Sequence, residues 1–84
     1  MHILLGITWR REAMYRESII DQLREIERQV VEGERQLAEC EARLAELKRQ
    51  KQDIAGTQRE LKMLRNNHSQ FEQERQRLLF LLHP

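Results

Sequence analysis

The chain has 84 residues, 35% charged and only 5% aromatic, with one proline, three glycines and a net charge of +1. One small domain is the most this length allows. Glu, Arg, Gln, Leu and Ala dominate, a composition that fits long helices and excludes a sandwich or an α/β domain. So small a net charge gives no bulk field to draw the chain onto nucleic acid or an anionic membrane.

Residues 1–8 are an apolar N-terminal segment, Met1 to Thr8. It has no basic n-region and falls far short of the ~20 apolar residues a membrane span requires. Thr8 stands where it would cap a helix starting at Trp9. The single cysteine excludes an internal disulfide framework. With no signal-peptide features, the expected location is a reducing one, the cytoplasm.

A long helix is expected over 9–54. Its seam positions are Leu23, Ile26, Val30, Gly33, Leu37, Cys40, Leu44, Leu47, Lys51 and Ile54, all but Lys51 uncharged. The steps alternate 3 and 4, which is a heptad a/d seam sustained for more than four heptads. Such a seam buries one narrow stripe and leaves the other faces wet. Gly33 costs roughly 1 kcal/mol against alanine, too little to stop the helix without other turn residues nearby.

At Ile54 the seam slips phase. The second seam is Ile54, Thr57, Leu61, Leu64, His68, Phe71, Arg75, Leu78 and Leu82, and its first step is 3 where 4 was due. A slip either overwinds a continuous coiled coil or marks a turn. Gly56 suits the left-handed position after a helix, and Thr57-Gln58-Arg59-Glu60 has the capping-box form. The expectation is a turn at 55–57 and a second helix over 58–82. Ser69 to Glu72 also reads as a capping box, but the seam passes through it in register.

The expected fold class is therefore all-α, an antiparallel coiled-coil hairpin, and the whole chain is a single coiled-coil element. A fold-back at 54–57 would pair Leu47 with Leu61, Leu44 with Leu64, Cys40 with His68, Leu37 with Phe71, Gly33 with Arg75 and Val30 with Leu78. The alternative is a continuous helix forming an antiparallel homodimer. A parallel dimer ranks third, because it stacks like charges. Residues 21–46 carry eight acidic and four basic residues, net −4, and residues 48–65 carry six basic and two acidic, net +4. Antiparallel stretches would set these charges side by side.

Nothing in the pattern carries chemistry. His2, His68, His83 and Cys40 make no metal-ligand spacing, and a Cys40–His68 pair alone has too few ligands and no cleft. Acidic pairs such as Glu39 and Glu41 lie two apart and point to different helix faces. No Gly-rich phosphate loop is present. The residues before the seam, with Arg10, Arg11 and Arg16 among Glu12 and Glu17, are not a DNA-binding basic block. The expectation is a non-enzymatic chain with no cofactor, no small-molecule substrate and no nucleic-acid partner.

The apolar ends exceed what a two-helix stripe needs. Trp9, Met14, Tyr15 and Ile19 at one end, and Leu79, Phe80 and Leu81 at the other, are the candidate partner-binding residues. In shape the chain looks like other helical hairpins, among them Rho-effector fingers, export-machine stalk components and dimerisation segments. No residue motif selects one. The expected function is a protein–protein interaction or assembly element, an adaptor or scaffold that joins another protein or itself. The alternative is a helical regulator of a GTPase or an ATPase.

Overall fold

The computed structural model describes the backbone of residues 2–83 and the side chains of residues 11–83. Two helices, α1 (His2–Arg49) and α2 (Ala55–Leu82), run antiparallel and pack along one side of each other. The result is a helical hairpin, a rod of 74 × 16 × 14 Å.

The seam legible in the sequence is the seam that packs. Val30, Cys40, Leu61 and Leu78 are buried, and Leu23, Ile26, Leu37, Leu44, Leu47, Ile54, Leu64 and Phe71 are half-buried. Burying a leucine fully contributes about 1.5–3 kcal/mol. With one narrow stripe to bury, most of the stability must come from these few positions. The outer faces carry carboxylate–Arg pairs three or four residues apart, such as Asp21–Arg24, Glu25–Arg28 and Glu74–Arg77. Exposed pairs of this kind add little to their helix.

The reversal falls at residues 50–54, not at 55–57. Lys51, with φ of 56°, takes the left-handed position that the sequence reading assigned to Gly56. The Gln52 N–H donates to the Leu47 carbonyl at 2.9 Å, and the Lys51 N–H donates to the Lys48 carbonyl at 3.1 Å. These two bonds are a Schellman motif, which satisfies carbonyls left open at the end of α1. The stretch Gln50-Lys51-Gln52-Asp53 is wholly polar. Breaking the helix there removes no apolar side chain from the seam, whereas a break at 55–57 would extend α1 through that polar stretch for nothing.

The start of α2 differs accordingly. Asp53 Oδ1 accepts from the Ala55 N–H at 3.0 Å, and the Gln58 N–H donates to the Ile54 carbonyl at 2.8 Å. Gly56 and Thr57 are helical, so the Thr57–Glu60 capping box does not form. Glu60 instead accepts from Arg43 across the hairpin at 3.2 Å. At the other end, α1 runs back through Thr8 to His2, so Thr8 is no cap. The helix also runs unbroken through Asn66 to Ser69.

An earlier turn resets the register. The expected partner of Gly33 was Arg75; the observed one is His68, seven residues nearer the turn. Cys40 meets the Thr57 carbonyl at 3.8 Å rather than His68. Glu27 pairs with Arg75 at 3.8 Å and Glu41 with Arg65 at 3.7 Å. The pairing has slid by one heptad, and a slide of one heptad leaves every a and d residue still facing the partner helix. Among the described residues, two of the three cross-helix ion pairs join an α1 carboxylate to an α2 arginine, and one of these, Glu41–Arg65, joins the acidic stretch 21–46 to the basic stretch 48–65.

Candidate functional site

In this register α2 reaches back only as far as Ile19, which lies with Leu81 and Leu82 in one groove. α1 continues past that level to His2, and its stretch from Glu12 to Arg16 still shares the groove with Leu81 and Leu82. The end of the rod away from the turn is therefore open, and a groove runs between the projecting helix and the last turn of α2. Ala13, Tyr15, Arg16, Ile19, Leu81 and Leu82 line it, with Glu12 at its edge. The lining is mainly apolar.

The candidate residues divide three ways. Tyr15 and Leu81 line the groove and are exposed, whereas Met14 (70% exposed) and Phe80 (77% exposed) stand in solvent outside its lining. Leu79 is half-buried. Ile19 is 5% exposed and belongs to the core, because the register puts it level with the last leucines of α2. The side chain of Trp9 lies outside the described residues. An exposed aromatic in an apolar groove is a feature that marks protein contact surfaces.

The tail is held in place locally. The His83 N–H donates to the Phe80 carbonyl at 3.2 Å and closes the last turn of α2. Phe80 is thereby presented on ordered helix rather than on a frayed end. Arg16 and Glu12 give the groove a charged rim, the usual surround of an apolar contact patch.

Cys40 and His68 are not a pair. Cys40 is fully buried near the turn, its thiol against the Thr57 carbonyl. His68 sits further along, against Gly33, and its Nδ1 is buried without a hydrogen-bond partner. His68 does have two carboxylates as neighbours, Glu34 and Glu72, a grouping the sequence reading missed. The spacing His68-x-x-x-Glu72 was its one visible signal, since residues four apart share a helix face. Glu34 could be placed there only once the register was known.

Comparison with protein-family models, with curated proteins and with solved structures finds no match. The function is accordingly argued from the residues. None of the described helices is long and apolar enough to cross a membrane.

Proposed function

We propose that this chain is a non-enzymatic protein–protein interaction element, an adaptor or scaffold whose hairpin is the rigid arm and whose open end is the docking surface. The observation that carries the reading is the apolar groove lined by the exposed Tyr15 and Leu81, at the end of the rod where α1 continues past the last turn of α2. The occupant that suits such a place is an amphipathic helix of another protein. Laid along the projecting part of α1, it would bury its apolar face against Tyr15 and Leu81 and continue the bundle. Helix-in-groove contacts of this kind draw most of their affinity from a few aromatic and large apolar anchors.

The test is a tagged pull-down of the full chain from native cell extract, quantified by mass spectrometry. The expected result is one stoichiometric partner, lost on Tyr15→Ala or Leu81→Ala. Both side chains are exposed, so neither change disturbs the hairpin. Recovery of the bait alone would replace the adaptor with a self-assembling rod whose open ends pack on each other. If the captured partner hydrolyses GTP or ATP, a change in its turnover on adding the chain separates a regulator from a passive adaptor.

A further inference from the structure

Midway along the hairpin, three side chains with metal-binding donors meet across the two helices. His68 and Glu72 come from one face of α2, with His68 Nε2 3.7 Å from Glu72 Oε1. Glu34 comes from α1. One donor atom from each of the three lies within 4.8 Å of the others. The imidazole is positioned by Gly33: a Cβ there would stand 2.9 Å from His68 Nδ1. Nδ1 is sealed against α1. Nε2, beside Glu72, is the nitrogen left for a ligand.

The surrounding charge favours a cation. The groove across the helices here is lined by Glu27, Glu34 and Glu72, with Arg75 as its one basic residue. Arg75 lies 3.8 Å from Glu27 and 3.7 Å from Glu72 Oε2. Oε1 of Glu72 faces His68 instead, and Glu34 has no ion pair among the described residues. Three carboxylates against one guanidinium leave the groove's lining with an excess of two negative charges.

We propose that Glu34, His68 and Glu72 bind a divalent first-row transition-metal ion, with zinc as the best fit, and that the ion clips α1 to α2. An imidazole with two carboxylates is a donor set that zinc accepts, and water would complete a four-coordinate shell. Coordination through Nε2 keeps the proton on Nδ1, which has no acceptor. The site therefore lacks the outer hydrogen bond that orients most metal-bound histidines, a bond whose loss typically weakens affinity by about 10–100-fold. An ion held from both helices binds the folded hairpin and not the separated chain, so it raises the melting temperature.

The experiment titrates the full chain, stripped with chelator, with zinc chloride. Calorimetry reads stoichiometry and affinity, and circular dichroism reads the melting temperature. The expected result is one saturable zinc per chain and a higher melting temperature. Glu34→Gln should weaken the affinity at least tenfold with unchanged helicity, since Glu34 is exposed. His68→Gln and Glu72→Gln should do the same. A His2→Gln/His83→Gln variant should bind as the parent does. Saturable binding that survives Glu34→Gln, or that disappears in the His2/His83 variant, would overturn the proposal. Weak, non-saturable binding by the parent would overturn it equally.

Discussion

The two ends of this rod are built from the same repeat and finish differently. At the turn end the seam is closed: Cys40 and Leu61 are buried, Arg43 reaches Glu60, and two backbone hydrogen bonds seal the end of α1. At the far end α2 stops at Leu82 while α1 continues to His2, and Met14, Tyr15 and Phe80 are exposed. A heptad seam, then, says which residues want a partner helix, and the relative lengths of the two helices decide which of them get one inside the chain. The surplus is what is left for another molecule.

The sharpest way to break this contrast is to replace an apolar side chain with a polar one at each end. Leu61→Asp buries a carboxylate in the closed seam and should cost more than about 3 kcal/mol, seen as loss of helical circular dichroism. Phe80→Ser, on the open end, should change stability by less than about 0.5 kcal/mol. Equal effects would mean that the open end is part of the core.

A smaller effect is expected at Gly33. Alanine gains about 1 kcal/mol of helix propensity there. Its Cβ would also sit 2.9 Å from the His68 ring, which would have to move. We expect a net loss of about 1 kcal/mol in denaturant melts, restored by adding His68→Ala. At Gly56 the nearest side-chain atom is 4.0 Å away, so Gly56→Ala should stabilise by about 0.5–1 kcal/mol. One substitution with opposite signs at two glycines distinguishes a packing glycine from a neutral one.

Lys51→Gly sharpens the account of the turn. A side chain in the left-handed region costs about 1 kcal/mol that glycine does not incur, so the melting midpoint should rise by a comparable amount. No gain would mean that the lysine is not held at positive φ.

The smallest effect is that of pH on the outer faces. Side-chain hydrogen bonds from Arg28, Arg35 and Arg77 hold Glu25, Glu32 and Glu74 below the ordinary carboxylate range. A lowered carboxylate pKa contributes stability that is present above the unfolded-state value of about 4.3 and is lost as pH falls through the folded-state value. The thermal midpoint should therefore slip gently below about pH 4.3, with no step near neutrality from these groups. All three lie on the surface, so added salt should reduce the slip.

Much of this fold was legible because the seam has a period. Every apolar a and d residue from Leu23 to Leu78 is at least half-buried, as its spacing required. The register was not legible in the same way. A shift of seven residues leaves the periodic pattern unchanged, so only the turn could fix it. Gly56 and the Thr57–Glu60 box are stronger local signals than Lys51, yet the polar run Gln50 to Asp53 decided the turn, since opening the helix there exposes no apolar surface. The open end was legible as composition, from its surplus of Met, Tyr and Phe. The burial of Ile19 was not legible, because it depends on how far α2 reaches. The neighbours of His68 followed the register and were hidden with it.

The sealed sulfur of Cys40 has a practical consequence. It is fully covered, and it sits where the two helices close first beside the turn. A thiol reagent reaches it only in molecules whose helices have parted. The rate of alkylation under native conditions is thus a clock for hairpin opening, set by nature at one position and needing no engineered label. A partner that grips the open end should slow that clock from most of the rod's length away.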